Sequence, residues 1–260
     1  MVQQGVSEVT ETISLVIPTY NEAENICFLL GEVSNVYLRN NYRGEIIVVD
    51  DNSPDGTWKL VETFQKQQDV DVKLLRRSNK RGLSSAVLDG FGRAKGTIMG
   101  VMDADLSHPP EKIPELLNPI IEDNAEFVIG SRYTDGGVIE NWPMKRKIIS
   151  KMAILLLRPF VHVKDPLSGF FFIRKEVIGG AFLAPRGFKI GLEIIAKGRY
   201  SKIIEVPITF KDRRLGRSKL TYRQISDYLF QLFHLITSDS SNLKSRGISR
   251  IERHFHSFLM

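Results

Sequence analysis

The sequence contains a single cysteine, Cys27, so no disulfide can form within the chain. This absence fits a reducing compartment. Internal repeats and low-complexity segments are missing, which excludes solenoid and disordered scaffold architectures. There is no run of about 18 apolar residues, so we expect no helix of this chain to cross a bilayer. Residues 1–12 are polar and give no indication of a secretory signal.

Several catalytic signatures are missing as well. The sequence has no G-x-G-x-x-G, which argues against a dinucleotide-dependent oxidoreductase, and it has no phosphate-binding P-loop. It also lacks zinc-ligand spacing and a nucleophile set of the Ser-His-Asp or Cys-His kind. The net charge of +6 and the pI near 9.3 suit a phosphate-bearing substrate, an anionic lipid or a nucleic acid. Basic–aromatic repeats and a recognition helix are missing, so we expect no nucleic acid partner.

Apolar segments that resemble buried strands alternate with helical segments along the chain. The predicted strands cover residues 13–18, 45–51, 72–77, 97–102, 127–132, 169–174 and 203–211. The predicted helices cover residues 21–38, 57–67, 83–94, 109–123, 147–158 and 192–198. This alternation predicts an α/β fold with a mostly parallel central sheet that is covered on both faces. Ligands of such sheets bind at the carboxyl ends of the strands.

The end of the chain differs in character from the rest. Residues 221–236 carry apolar side chains at three- and four-residue spacing, which predicts an amphipathic helix. The residues that follow combine basic and aromatic side chains, a composition typical of a segment that docks at a membrane interface. Packing of the helix on the core is the alternative. We therefore expect a tail at 1–12, a main domain at 13–220 and a possible membrane-interface segment at 221–260.

Two acidic pairs follow predicted strands. Asp103 and Asp105 come after the fourth strand, where a turn allows both carboxylates to approach one hard divalent cation that also binds phosphate oxygens. Such a cation can neutralise a diphosphate leaving group. Asp50 and Asp51 end the second strand, where a carboxylate can bind a nucleobase or a ribose hydroxyl. The alternatives are a solvated or capping loop for the first pair and simple turn chemistry for the second.

Basic residues form three clusters, and arginine is suited to bidentate contact with phosphate. The clusters lie at Arg132, at residues 145–147, and at residues 213–219. Each could be an ordinary surface charge. Three clusters in a chain that also carries a candidate metal site indicate two phosphate-bearing substrates.

Taken together, these segments resemble the inverting family-2 glycosyltransferases, and within that family the dolichol-phosphate mannosyltransferases. The similarity covers roughly residues 13–220. It rests on IPTYNE (17–22), VVDDNSPDGT (48–57), MDADLSHPPE (102–111), GSRY (130–133), ENWPMKRKIIS (140–150), DPLSGFF (165–171) and R-x-x-G-x-S-K (213–219).

The resemblance implies a GT-A catalytic domain that transfers mannose from GDP-mannose to dolichyl or polyprenyl phosphate with inversion, using Mg²⁺ or Mn²⁺. By this resemblance the guanosine is held by Pro18, Tyr20, Glu22, Val49 and Asp51. The metal and the diphosphate are bound by Asp103 and Asp105, with backbone contact from Ala104. Ser107 stands in the metal shell where some relatives carry glutamine.

The remaining expected site residues bind phosphate. Arg213 and Lys219 close a loop over the donor diphosphate, while Arg132, Arg146 and Ser150 seat the acceptor phosphate. Many microbial relatives continue into membrane-spanning helices and this sequence does not, so we expect it either to rely on a membrane-anchoring subunit or to dock at a membrane surface through residues 221–260. The expected location is the cytoplasmic face of the cell membrane or the endoplasmic reticulum. The alternatives are a glucosyltransferase that uses UDP-glucose and a non-catalytic subunit that binds the nucleotide-sugar.

Overall fold

The computed structural model describes residues 11–67, 70–79, 81–159, 161–183 and 189–212. The strands are β1 (Thr12–Thr19), β2 (Arg43–Asp50), β3 (Asp71–Arg76), β4 (Ile98–Val101), β5 (Phe127–Ser131), β6 (Val138–Ile139), β7 (Phe171–Arg174), β8 (Ile203–Pro207) and β9 (Thr209–Phe210). The helices are α1 (Ile26–Arg39), α2 (Thr57–Gln65), α3 (Leu83–Phe91), α4 (Ile113–Ile121), α5 (Met144–Leu157) and α6 (Ile190–Lys197). The predicted helix at 221–236 lies outside the described residues.

Seven strands form one sheet in the order β3-β2-β1-β4-β7-β5-β8. Strand β1 runs parallel to β2 and β4, and β8 runs parallel to β5. Strand β7 lies antiparallel between β4 and β5. The predicted mostly parallel sheet is therefore confirmed. The prediction of a single strand at residues 203–211 is wrong. The buried Ile208 separates β8, which belongs to this sheet, from β9, which pairs with β6 in a second sheet.

Helices cover both faces of the sheet because successive strand residues point to opposite sides. In β2, Ile46 and Val48 pack in the core that includes α1, α2 and α4. Their neighbours Ile47 and Val49 pack in the second core, which includes α3, α5 and α6. A strand buried on both faces needs continuous apolar residues, which is the pattern seen in the sequence. No helix within the described ranges has the length and hydropathy to span a membrane.

The first helix begins later than predicted. We expected it to start at Asn21, but α1 starts at Ile26, and Asn21 has the left-handed φ of 58° that asparagine tolerates. The backbone N–H groups of Asn21 and Glu22 donate to Ser53 Oγ and Thr57 Oγ1, at 3.0 Å each. Ser53 after β2 and Thr57 at the start of α2 thus hold the segment after β1 in a non-helical conformation.

Candidate active site

The candidate site lies at the carboxyl edge of the neighbouring strands β2, β1 and β4. The register places Thr19 beside Asp50, and the N–H of Met102, just after β4, donates to Val16 O at 3.1 Å. The three loops that carry the acidic and aromatic residues therefore leave the sheet side by side.

The two aspartates at the end of β2 are both buried but have different hydrogen-bond partners. Asp50 is fully buried and accepts hydrogen bonds from Thr19 Oγ1 (2.9 Å) and from both the N–H (2.8 Å) and the hydroxyl (2.6 Å) of Ser53. These contacts join the loops after β1 and β2. Asp50 therefore has the turn role that was the alternative for this pair, and only Asp51 extends beyond the strand.

A buried arginine holds Asp51 in place. Arg77 Nε donates to Asp51 Oδ1 at 2.7 Å, and the N–H of Gly82 donates to Asp51 Oδ2 at 2.8 Å. Gly82 has a φ of 125°, which glycine adopts at little cost, and this conformation lets its amide reach the carboxylate. Arg77 also donates to Ser85 Oγ (2.9 Å) and Asp89 Oδ2 (3.1 Å). Our sequence analysis missed Arg77, although its place directly after β3 at the same sheet edge was a usable signal.

Of the other residues expected to hold guanosine, two have partly exposed side chains and two have buried ones. Tyr20 is partly exposed, and the Arg81 guanidinium lies 5.3 Å from its ring centroid. Glu22 is partly exposed and accepts a hydrogen bond from Asn25 Nδ2 at 2.9 Å. The side chains of Pro18 and Val49 are buried within the sheet, so their backbones are the groups that a nucleotide could contact.

The loop after β4 presents one accessible and one buried carboxylate. The Asp103 side chain is 31% exposed, whereas Asp105 is buried and accepts hydrogen bonds from the N–H (3.1 Å) and hydroxyl (2.5 Å) of Ser107. Ala104 packs in the core, which leaves its backbone as the group available to a ligand. Gly169 lies against Asp103, because a Cβ at this glycine would be 2.8 Å from Asp103 Oδ2.

The loop carries carboxylate oxygens of the kind that a divalent cation prefers. Within the described residues, no three side chains of His, Cys, Asp or Glu come together to hold a metal alone. Two carboxylates are nevertheless a sufficient protein contribution for Mg²⁺, which keeps phosphate oxygens among its ligands. His108 Nδ1 accepts a hydrogen bond from the N–H of Asp103 at 3.3 Å, and burial lowers the pKa of His108. We therefore assign His108 to support of the loop.

Arg132 forms a buried ion pair with Asp165, a partner that the sequence did not reveal. Arg132 donates to Asp165 from its backbone N–H (2.9 Å), from Nε and from a terminal nitrogen (2.7 Å each). Both residues are buried. Burial opposes the charge of Arg132, but the Asp165 carboxylate outweighs it, so the pKa of Arg132 lies above its ordinary value.

Helix α5 carries the other residues expected to bind the acceptor phosphate. Arg146 donates to Asp212 Oδ1 at 2.8 Å and stacks on Trp142, with 4.0 Å between the guanidinium carbon and the ring centroid. Ser150 Oγ accepts a hydrogen bond from the Tyr133 hydroxyl at 2.9 Å. The structure thus holds Arg146 and Ser150 in defined positions one turn apart, while Arg213 and Lys219 lie outside the described residues.

Lys189, at the start of α6, is a further cation that our sequence analysis missed. Its Nζ donates to Leu167 O at 2.9 Å, in the loop between Asp165 and Gly169. Burial lowers the pKa of Lys189, the nearby Arg132 lowers it further, and Asp103 acts in the opposite direction. Asp103 also favours the charged form of Arg132. Gly169 lies against Asp103, and Asp165 of the same loop pairs with Arg132, so the acidic loop and Arg132 are parts of one site.

The site thus combines an acidic loop after β4 with buried arginines at the edge of a mixed α/β sheet. Residues 14–180 match the family described as Glycosyl transferase family 2, and the chain belongs to this family. The chain is similar to the dolichol-phosphate mannosyltransferase of Pyrococcus furiosus, with 49% identity over 228 residues, 86% of this chain and 63% of that protein. It thus spans less than two thirds of that relative's length.

Other relatives match over most of their length. The dolichol-phosphate mannosyltransferase of Saccharomyces cerevisiae is 40% identical over 85% of this chain and 86% of that protein. The polyprenol monophosphomannose synthase of Mycolicibacterium smegmatis is 36% identical, with 86% of each chain covered. The solved glucosyl-3-phosphoglycerate synthase of Mycobacterium tuberculosis, in complex with Mn²⁺, UDP and phosphoglyceric acid, has a TM-score of 0.65 at 19% identity and covers 88% of this chain and 78% of that one. This likeness confirms the expected GT-A fold.

Proposed function

We propose that this chain transfers mannose from GDP-mannose to a dolichyl or other polyprenyl phosphate, with inversion at the anomeric carbon. The names of the relatives support both the sugar and the acceptor class. The observation that carries the proposal is that the loop at residues 165–169 contacts both the Asp103 carboxylate, through Gly169, and Arg132, through Asp165. A donor diphosphate held near Asp103 and an acceptor phosphate held near Arg132 would then meet in one site.

The donor nucleotide would lie on the loops after β1 and β2. Tyr20 can stack on the base or bond a ribose hydroxyl, and Glu22 and Asp51 can accept hydrogen bonds from nucleoside N–H or O–H groups. Arg77 already holds Asp51 in place, so little reorganisation is needed when the nucleoside binds. The backbones of Pro18 and Val49 would complete this part of the site, and Arg213 and Lys219 would cover the diphosphate.

Asp103 and Asp105 would hold Mg²⁺ or Mn²⁺, with backbone contact to the diphosphate from Ala104 and with Ser107 orienting Asp105. When bound, the cation would neutralise charge that develops on the leaving diphosphate. The acceptor phosphate is already an anion, so it can attack the anomeric carbon without a strong general base. Arg132, Arg146 and Ser150 would orient it for a single in-line displacement.

Helix α5 presents an exposed surface of apolar and basic side chains. It has six large apolar side chains that are each at least half exposed: Met144, Ile148, Ile149, Met152, Leu155 and Leu156. Lys145, Lys147 and Lys151 lie among them, and this combination suits the interface of an anionic bilayer. We propose that α5 docks at the cytoplasmic face of the membrane, with segment 221–260 or an anchoring subunit as further contacts. Arg146 and Ser150 on the same helix would then meet the acceptor phosphate.

Replacing Ile148 and Leu155 together by Glu is expected to weaken binding to anionic lipid vesicles at least about tenfold, because two apolar contacts with the bilayer are lost and like charge is added. Vesicle co-sedimentation measures this. Phe28→Glu is the matched control, since Phe28 is 56% exposed on α1. Equal vesicle binding by all three proteins would contradict docking through α5.

The activity itself is tested with radiolabelled mannose. Wild-type protein in detergent is incubated with GDP-mannose and a short polyprenyl phosphate, with Mg²⁺, Mn²⁺ or EDTA, and UDP-glucose is tested in parallel. We expect a mannolipid whose formation EDTA prevents. Product from UDP-glucose alone would favour the glucosyltransferase alternative. Absence of product from both donors, with GDP still binding, would favour a non-catalytic subunit.

A further inference from the structure

The indole of Trp142 lies beside the proposed acceptor site with its polar atom unused. Trp142 is 9% exposed and comes two residues before α5. Its Nε1 is buried and has no hydrogen-bond partner in the structure described here. A buried N–H without an acceptor is uncommon, because the donor has lost water and gained nothing in return.

Two guanidinium groups, each paired with a carboxylate, lie against Trp142. The Arg146 guanidinium stacks on the ring at 4.0 Å, and the Arg132 guanidinium carbon is 5.4 Å from the ring centroid. Phe210 closes another side at 5.4 Å in an edge-on arrangement. Asp165 and Asp212 pair with the two arginines, so the nearest carboxylates are already engaged with cations.

We propose that Trp142 is a further substrate-binding residue, and that its Nε1–H donates a hydrogen bond to an oxygen of the acceptor phosphate. The inference rests on the proposed function. An indole N–H can only donate, so the missing partner is an acceptor. Two guanidinium groups within 5.5 Å of the ring favour an anionic partner, and a phosphate oxygen meets both requirements.

Stacking alone would also bury Trp142, so the test removes the N–H and keeps the ring. Incorporation of 3-benzothienylalanine at position 142 replaces the N–H by sulfur with little change in shape, and Trp142→Phe is the simpler companion. We expect the KM for a short polyprenyl phosphate to rise about tenfold, the value of one hydrogen bond to a charged group. The KM for GDP-mannose and the melting temperature are expected to stay at their wild-type values in the benzothienyl variant.

Fluorescence provides a measurement that does not depend on turnover. The chain has two tryptophans, so Trp58→Phe leaves Trp142 as the single indole. Addition of a short polyprenyl phosphate should change its emission saturably, whereas the matching polyprenol without phosphate should not. Inorganic phosphate is the third arm, and it separates recognition of the phosphate from recognition of the lipid. An emission change with inorganic phosphate but not with polyprenyl phosphate at the same concentration would overturn the assignment to the lipid acceptor.

The failure of this inference differs from the failure of the proposed function. If wild-type protein makes mannolipid and the benzothienyl variant has an unchanged KM for the acceptor, the hydrogen bond is refuted. A rise in the KM for GDP-mannose alone would also overturn it, because the indole would then contact the donor. If wild-type protein makes no mannolipid from any donor, the proposed function fails, and an emission of Trp142 that does not respond to polyprenyl phosphate refutes the inference separately.

Discussion

Replacement of Asp105 by Asn is expected to reduce mannose transfer by about 10³-fold or more while the protein stays folded. The loss follows because one of only two carboxylates available to a cation on this loop disappears, and charge stabilisation at a leaving group commonly contributes several kcal/mol. The fold is retained because an amide oxygen can still accept the hydrogen bonds from Ser107. Initial rates with radiolabelled donor measure the first effect, and thermal unfolding measures the second.

Asp135→Asn is the matched control for this experiment, because the Asp135 side chain is fully exposed and lies outside the site. The control should transfer mannose at the wild-type rate. Near-normal activity of Asp105→Asn would refute the proposed role of Asp105 in binding the metal and the diphosphate. Loss of the cooperative unfolding transition in Asp105→Asn would instead mean that Asp105 is needed for folding.

The largest loss of stability is expected from Asp165→Ala. Asp165 is fully buried and accepts three hydrogen bonds from Arg132, so its removal leaves a buried guanidinium without a counter-charge. Breaking a buried pair in this way costs about 3–5 kcal/mol of the free energy of unfolding. For a domain of this size we expect a fall in melting temperature of about 10 °C, measured by calorimetry or circular dichroism.

Two further variants separate burial from charge. Asp212→Asn removes the carboxylate paired with Arg146, but both side chains are partly exposed, so the loss should be below about 1 kcal/mol. Combining Arg132→Met with Asp165→Leu removes both charges and should recover much of the stability lost in Asp165→Ala. A double variant no more stable than Asp165→Ala would mean that the unpaired charge is not the cause.

Most of the strands and helices and the positions of the acidic loops could be predicted from the sequence because they depend on local patterns, whereas β6 and the break between β8 and β9 were not predicted. Continuous apolar runs ending in Asp, Asn, Ser, Pro and Gly indicate buried strands followed by loops, wherever the strands lie in the sheet. That is why the predicted site residues Asp51, Asp103 and Asp105 lie at the same sheet edge. The start of α1 was mistaken because the amides of Asn21 and Glu22 donate to side chains more than 30 residues away in the sequence, Ser53 and Thr57.

The contacts between distant residues were decided only by the tertiary structure. Nothing near Arg132 in the sequence indicates that Asp165, 33 residues away, is its partner, and the link between Arg77 and Asp51 spans 26 residues. The antiparallel position of β7 between β4 and β5 likewise depends on pairing between strands that are far apart in the sequence. A side chain's neighbours depend on how the whole chain packs, whereas its tendency to form a strand or a turn depends on its own backbone and those beside it. The sequence therefore determined the class of the fold and the chemistry at the sheet edge, and folding alone decided which charges are paired and that the Trp142 N–H has no acceptor among the described residues.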